Sequence, residues 1–460
     1  MIESLQHLPP APATHAALAE RFTDLAPPLT ARQAAIESAR CLYCYDAPCT
    51  RACPTGIDVA SFIRNIHDQN VVGAAIGILK QNIFGGACAR VCPTEILCEA
   101  ACVRNHDAEG QPVKIGLLQR HAIDHAHFDS HPFRRAPGTG KTVAVVGAGP
   151  AGLSCAHRLA MLGHDVVVFE ARDKSGGLNE YGIAKYKLPG DFAQREVDFL
   201  LSVGGIEVRH GHILGINLHL QDLHARYDAV FLGIGLQASR RLGLTGEDAP
   251  GLSAAVDYIS TLRQAQDLAA LPVPRRAIVI GAGNTAIDMA VQLKRLGADE
   301  VTLVYRRGVE AMSATGHEIE IAKTHFVHMR TWAAPLEVLL DASGKVRGMR
   351  FEETRMEAGR LVATGAVIEI AADAVFKAIG QGMDRDSLND PLASGLARGA
   401  DGGDKIQVDT FFRTALPGVY AGGDCIAPGQ DLTVQAVQHG KMAALAIHGD
   451  IQSTSTLMRA

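Results

Sequence analysis

Val143-Ala-Val-Val-Gly147-Ala-Gly149-Pro-Ala-Gly152 carries the chain from a short, fully apolar stretch through a glycine turn into a helical pattern. Four apolar residues in a row, without alternation, read as a strand buried on both faces of a parallel sheet. Glycine at 147 permits the turn, at 149 lets a pyrophosphate approach backbone N–H groups, and at 152 lets helix and strand pack closely. Pro150 and Ala151 complete the turn. The helix that follows faces the phosphates with its positive end. A second strand, expected over Asp165–Glu170, ends in Glu170, about 20 residues on, where an acid bonds ribose hydroxyls. Ser175-Gly-Gly-Leu178 follows and adds Gly177 and Leu178 to the expected dinucleotide contacts.

The same order recurs downstream. Ala277–Ile280 runs into Gly281-Ala-Gly283-Asn284-Thr285-Ala286, with alanine allowed at the third position, and Val301–Tyr305 is the next strand. Here the second strand ends in Arg306-Arg307 instead of an acid. Paired arginines can hold a 2′-phosphate, so this site leans to NADPH over NADH. Ala378 and Gly380 are expected beside the same nucleotide. Far downstream, Gly418-Val-Tyr-Ala-Gly-Gly423-Asp424 places an aspartate after an apolar strand and before an amphipathic helix expected over Leu432–Ile447, with Thr433 at its start. In flavoproteins with two nucleotide sites such an aspartate bonds the ribityl chain while the last helix points at the pyrimidine edge. An early fingerprint paired with a late Gly-Gly-Asp means that an FAD domain is split and that the second domain is inserted in it.

The remaining signal is cysteine. Eight of the ten lie between Cys41 and Cys102; only Cys155 and Cys425 lie elsewhere. The first set is Cys41-x2-Cys44-x4-Cys49-x3-Cys53-Pro54 and the second Cys88-x3-Cys92-Pro93-x5-Cys98-x3-Cys102. Short loops ending in Cys-Pro suit iron–sulfur clusters, and the last cysteine of a run often serves the neighbouring cluster. Zinc prefers paired C-x2-C units and fits these intervals poorly. Cys155 reads as a small core residue and Cys425 as a thiol packed beside the flavin. No cysteine lies between them, so the inserted domain lacks the C-x-x-C pair of disulfide reductases.

A net charge of −5 gives no support to nucleic-acid binding. No apolar run approaches the roughly 20 residues that span a bilayer, and the N-terminus lacks the pattern of a signal peptide, so a cytoplasmic protein is expected. The N-terminal stretch 1–30, with Pro9, Pro10, Pro12, Pro27 and Pro28, reads as a loosely ordered arm. From Thr30 to about His127 the pattern is helical segments broken by cysteine loops, and the histidines of His121–His127 read as helix-surface residues. His131–Gly140 reads as a Pro/Gly/Arg hinge. The 460 residues therefore divide into an arm and α-helical iron–sulfur domain (1–135), an α/β FAD domain in two segments (136–270 and 391–460), and an α/β NAD(P)H domain inserted between them (271–390).

Cys41-Leu-Tyr-Cys44-Tyr-Asp-Ala-Pro-Cys49-Thr-Arg-Ala-Cys53-Pro-Thr-Gly-Ile-Asp58 and Gly85-Gly-Ala-Cys88-Ala-Arg-Val-Cys92-Pro-Thr-Glu-Ile-Leu-Cys98-Glu-Ala-Ala-Cys102 resemble the N-terminal part of the dihydropyrimidine dehydrogenase family. The resemblance covers nearly the whole chain and extends to the bacterial electron-input subunits of that family; glutamate synthase small subunits share the plan. It implies one [4Fe–4S] cluster on Cys41, Cys44, Cys49 and Cys102. It implies a second on Cys53, Cys92, Cys98 and the amide oxygen of Gln119, with Cys88 a free thiol. It also implies that Lys187, in Gly182-Ile-Ala-Lys-Tyr-Lys-Leu-Pro189, approaches FAD. Ser313 stands where a further 2′-phosphate arginine is expected, which keeps NADH open.

The implied path runs from the nicotinamide to FAD, which resolves a two-electron delivery into single electrons for the two clusters. No segment remains for an FMN barrel of roughly 250 residues. The expectation is therefore a hetero-oligomer, a heterotetramer, with an FMN- and iron–sulfur-bearing catalytic subunit that reduces uracil or thymine. A glutamate synthase-like relay is the alternative, and a zinc-stabilised scaffold without redox chemistry a remote one.

Overall fold

The computed structural model describes residues 2–383, 392–396, 405–427 and 429–457, with side chains described to residue 453. The expected boundary between residues 390 and 391 lies outside the described residues. In chain order the helices and strands begin with α1 (His15–Arg21), α2 (Ala31–Ala39), α3 (Pro48–Ala52), α4 (Val59–His67), α5 (Val71–Gln81), α6 (Gly85–Val91) and α7 (Ile115–His125). Then come β1 (Thr142–Val146), α8 (Pro150–Met161), β2 (Asp165–Phe169), α9 (Leu178–Tyr181), α10 (Phe192–Leu201), β3 (Ile206–Arg209), α11 (Leu220–Arg226) and β4 (Ala229–Leu232). Next are β5 (Leu252–Ala254), α12 (Ala255–Gln264), β6 (Arg276–Ile280), α13 (Asn284–Leu296), β7 (Glu300–Val304), α14 (Gly316–Thr324) and β8 (His328–Arg330). The chain closes with β9 (Ala333–Leu340), β10 (Val346–Glu357), β11 (Arg360–Ala371), β12 (Ala374–Lys377), β13 (Val419–Ala421) and α15 (Thr433–Leu457).

Two compact units form. The larger comprises 26–180, 190–237 and 382–460; the smaller comprises 1–25, 181–189 and 238–381. In the larger unit a five-stranded parallel sheet has the order β13-β4-β1-β2-β3. Its centre is apolar because β1 and β2 contribute Val143, Val145, Val166 and Val168, each at most 2% exposed. β13 pairs with β4 although the long segment 238–381 separates them in the chain, so this nucleotide domain is split. The helices α2–α7 belong to the same unit. Local chemistry starts them: Thr30 and Gln33 form a capping box on α2, Asp58 caps α4 through Ser61 N, and Asn70 caps α5 through Gly73 N. His131–Gly140, read as a hinge, is packed within this unit. Arg135 donates to the Ala160 and His164 carbonyls and pairs with Asp165.

The smaller unit holds a second parallel sheet, β5-β12-β6-β7-β8, and the antiparallel β9-β10-β11. α13 ends at Gly297, whose left-handed backbone closes the helix. The N-terminal segment 1–25 is not a loose arm. Leu5, Leu18 and Phe22 are buried in this unit's core, and the Ser4 and Pro9 carbonyls accept from Gly251 N and Val273 N. Three apolar anchors outweigh the prolines between them. His121 also departs from expectation: it is buried, while His125 and His127 stay exposed. Among the described residues no single helix is long and apolar enough to cross a membrane.

Candidate functional site: two thiol groups and two glycine turns

Each cysteine loop is shaped by its own sequence. Cys53 ends α3 and Cys92 ends α6, both in extended conformation because a following proline disfavours the helical one. Tyr43 and Ala47, flanking Cys44, hold left-handed backbones that cost about 1–3 kcal/mol each in non-glycine residues and persist where the surroundings impose them.

The structure brings Cys41, Cys44, Cys49 and Cys102 to the lining of one cavity, closed by apolar side chains such as Val59 and Ile63. Burial pushes the Cys41 thiol up and that of Cys49 up to about 11, with neighbouring cysteines adding to it. Cys53, Cys92 and Cys98 form the other group. Burial raises the Cys92 thiol well above its ordinary range, and Cys88, Cys98 and Cys53 raise it further. Cys98 is pushed up by burial, then by Glu99 and Cys53. The last cysteine of each run thus lies with the other run. Cys88, fully buried with the Asn82 amide beside it, sits next to the second group as well. Gln119 is buried on α7 and donates Nε2 to the Gly85 carbonyl at 2.7 Å, which leaves its amide oxygen available to a metal.

The Cys41, Cys49, Cys92 and Cys98 thiols, which burial makes reluctant to ionise, are released by a cation that binds the thiolate, so each group fits an iron–sulfur cluster. Among the described residues no three His, Cys, Asp or Glu side chains are placed to grip a single ion. Four thiols around one cavity instead suit a polynuclear group, whose ligands attach to different iron atoms.

In the larger unit, the first glycine turn lies between β1 and α8, at the carboxyl end of the sheet. A Cβ on Gly152 would collide with the Gly147 carbonyl oxygen, and Gly147 has φ +97°, so neither position accepts a side chain without backbone movement. Pro150 and Ala151 begin α8, and Gly149 is its cap. The Ser175–Gly177 loop is pinned to the turn by Gly176 N donating to the Ala148 carbonyl at 2.7 Å, and Leu178 follows in α9. Glu170 lies just past β2. Its Oε2 accepts from Ala148 N (2.7 Å) and its Oε1 from Arg172 N (2.9 Å), so the acid stiffens the turn and keeps lone pairs for a ribose. Gly423 and Asp424 follow β13. Burial pushes Asp424 up to about 6, with Asp431 adding repulsion and Lys405 relieving it, and the carboxyl has no hydrogen-bond partner among the described residues. That free acceptor fits a ribityl hydroxyl. Thr433 opens α15 and donates to the Asn179 side chain at 3.1 Å. Cys155 is buried in α8, and Cys425 is buried with its thiol donating to the Leu232 and Gly422 carbonyls.

The smaller unit's turn lies between β6 and α13. Gly281 packs against the Ala378 carbonyl, Gly283 caps α13, and Asn284 Oδ1 accepts from Thr315 N. Thr285 is half-buried in the first turn. Ser313 bonds the Ala282 carbonyl at 3.4 Å, beside the turn. Gly380 adopts a left-handed backbone, and its carbonyl accepts from Arg240 N. Arg306 and Arg307 are exposed, and neither guanidinium is in an ion pair among the described residues.

Lys187, expected at the flavin, is held within the smaller unit. Its ammonium lies 2.7 Å from Asp288 and 2.6 Å from Glu318, and Tyr186 donates to the same Asp288 oxygen at 3.0 Å. Burial opposes the lysine charge, but the two carboxylates outweigh it and hold the pKa up.

Lys441 on α15 is a buried charge the motifs do not reveal. It donates to the Thr55 and Gln81 carbonyls at 2.8 and 3.0 Å. Burial, then Arg158, pulls its pKa down to about 8. Its signal in the sequence is position: Val434, Val437, Lys441 and Ala444 share one helical stripe.

A helical domain with two thiol groups, joined to two nucleotide domains opening on glycine turns, defines an iron–sulfur flavoprotein oxidoreductase. Residues 141–440 match the pyridine nucleotide-disulphide oxidoreductase family, and residues 18–130 match dihydropyrimidine dehydrogenase domain II, 4Fe-4S cluster. The chain is 34% identical over 428 residues to the NAD-dependent dihydropyrimidine dehydrogenase subunit PreT of Salmonella typhimurium, covering 92% of this chain and 96% of that relative. The Escherichia coli K12 subunit PreT is 35% identical, with the same coverage. The NADPH glutamate synthase small chain of E. coli K12 is 31% identical, over 92% of each. The fold is shared with T. acidophilum thioredoxin reductase (TM-score 0.53, 21% identity, 67% of this chain and 99% of that one). It is shared also with FprA of Mycobacterium tuberculosis in complex with NADPH (TM-score 0.57, 20% identity, 70% and 86%). The chain belongs to the pyridine nucleotide-disulphide oxidoreductase family and, within it, to the dihydropyrimidine dehydrogenase subunits of the PreT kind. With no cysteine between Cys155 and Cys425, it lacks the thiol pair for disulfide chemistry in the inserted segment.

Proposed function

We propose that this chain is the electron-input subunit of a dihydropyrimidine dehydrogenase. It takes hydride from NADH or NADPH onto FAD and delivers single electrons through two [4Fe–4S] clusters to an FMN-bearing catalytic subunit, which reduces uracil or thymine. The observation that carries the reading is the exchange of end cysteines: Cys102 lies with Cys41, Cys44 and Cys49, and Cys53 lies with Cys92 and Cys98. That pattern builds adjacent clusters. We assign the first cluster to the former four and the second to the latter three with Gln119, leaving Cys88, beside Asn82, as a free thiol.

The bound flavin supplies the conversion from an electron pair to single electrons. The chain's residues do the placing. The Gly147–Gly152 turn and the α8 N-terminus hold the flavin pyrophosphate, Glu170 the adenosine ribose, and Asp424 a ribityl hydroxyl. Gly281–Thr285 hold the second pyrophosphate. Lys187 positions the 181–189 segment against α13 through Asp288. NADH is the favoured donor, because the PreT relatives are named NAD-dependent and Ser313, beside the second turn, stands where a further 2′-phosphate arginine is expected. A cytoplasmic heterotetramer of two input and two catalytic subunits is the proposed assembly. A glutamate synthase-like relay is the second reading, favoured by the similarity to that enzyme's small chain.

Purified chain tests the reading. About eight iron atoms and as many sulfides per chain are expected, with flavin bleached by NADH and no dihydrouracil formed from uracil until the FMN-bearing subunit is added. Cys88→Ser keeps both clusters and Gln119→Leu loses the iron of one. Colourless protein, or iron lost from Cys88→Ser and retained in Gln119→Leu, overturns the assignment.

A further inference from the structure

α15 buries Val434, Val437, Lys441 and Ala444 along one side. Three are apolar; the fourth is a lysine only 8% exposed. Its partners are the Thr55 carbonyl (2.8 Å), the Gln81 carbonyl (3.0 Å) and Gln81 Oε1 (3.3 Å), all neutral. The next charge is another cation, Arg158 on α8, which donates to the Lys80 carbonyl at 2.9 Å. Among the described residues neither cation pairs with a carboxylate. A buried ammonium without a counter-charge is strongly unfavourable, and folded proteins keep one where something of opposite sign completes it. Among the described residues the group within range that turns negative on binding a metal is Cys53, two positions before Thr55.

We propose that Lys441 is the built-in counter-charge of the second cluster, a positioning residue that makes this cluster easier to reduce. The inference rests on the ligand reading above, Cys53, Cys92, Cys98 and Gln119. A cluster held by three thiolates and a neutral amide gains one negative charge when it accepts one electron. A fixed cation favours the more negative form. The neutral amide acts in the same direction, since it replaces a fourth thiolate. One helix therefore serves both groups: its N-terminus is placed for the flavin, and its third turn carries the charge that favours the reduced cluster.

A structural staple between the Thr55 and Gln81 loops is the competing explanation, and charge separates the two. Redox titration of the holoprotein, followed by electron paramagnetic resonance, compares wild type with Lys441→Gln, which keeps amide donors, and Lys441→Arg, which keeps the charge. Lys441→Gln is expected to lower the reduced-to-oxidised ratio of one cluster about tenfold at fixed potential, or about 59 mV, with the other unmoved. The moved cluster is the one that Gln119→Cys also shifts, and Lys441→Arg stays near wild type. Unchanged potentials at full iron content, or equal shifts in both Lys441 variants, overturn the inference. Should Lys441→Gln lose iron, Arg158→Gln is expected to shift the same cluster in the same direction by less, and no shift there overturns it too. Iron below two clusters in the wild type strikes the ligand reading instead.

Discussion

The two glycine turns are built alike and finished differently. Both follow a buried parallel strand and open a helix capped by glycine, Gly149 for α8 and Gly283 for α13. In the first, the third small residue is Gly152, jammed against the Gly147 carbonyl; in the second it is Ala286, which carries its Cβ without difficulty. The first turn's acid, Glu170, is buried and tied to the turn by the Ala148 N–H. The second turn's arginines stand in solvent with no ion pair among the described residues. A tight, hydrogen-bonded turn suits a cofactor that stays, and a looser one with free charges suits a cofactor that comes and goes.

The largest test of that contrast is steric. Gly152→Ala forces backbone movement and is expected to leave protein purified with under a tenth of the wild-type flavin, read from absorbance at full protein concentration. Gly283→Ala would meet only Ser313 Oγ at 3.3 Å and is expected to keep its flavin while raising KM for NADH a few-fold. Equal flavin loss in both variants would break the comparison.

A smaller effect is expected from pH. Asp424 is pushed up to about 6 by burial, from an ordinary 3.8. The folded, flavin-free protein thus binds this proton more tightly than the unfolded chain. The stabilisation is complete below about pH 4 and is lost as pH rises through about 6, amounting to at most about 3 kcal/mol. A ribityl hydroxyl donating to the carboxylate has the opposite preference. Flavin affinity is therefore expected to fall as pH drops through about 6, and Asp424→Asn to show weaker affinity with that step removed. Fluorescence titration of released flavin measures both. A step of the same size in Asp424→Asn would remove Asp424 from the flavin site.

The smallest effect concerns donor choice. Arg306→Ala with Arg307→Ala should raise KM for NADPH about tenfold, the scale of a surface-exposed phosphate contact of about 1.4 kcal/mol, and KM for NADH less than twofold. Ferricyanide reduction with each donor measures it. Equal changes would mean that the arginines are only solvated.

Much of this is legible in the chain. The four strands expected around the turns lie within one residue of their observed ends, because buried parallel strands advertise themselves as apolar runs. The gathering of Cys53 with the second run follows from spacing. Gln119 is legible only through family resemblance, since one amide among many carries no mark of a ligand. Leu5, Leu18 and Phe22 are hidden by the prolines around them. The partners of Lys187, Asp288 and Glu318, lie far along the chain, and no local pattern announces a pair so distant. Lys441 is visible as a charge on an apolar stripe, but a single lysine belongs to no motif that would mark it as buried.

The chain passes between its two compact units five times, after residues 25, 180, 189, 237 and 381. A ribosome therefore releases neither unit as a finished piece. The N-terminal segment 1–25 emerges long before β6 and β12, the sheet strands of the unit it will join, exist. β4 waits through the synthesis of the whole inserted segment for β13, its outer neighbour. The cysteine loops and helices α2–α7 are the early contiguous stretch, so cluster assembly can begin on the nascent chain while both nucleotide sites are still incomplete. The order of manufacture thus runs opposite to the order of electron flow.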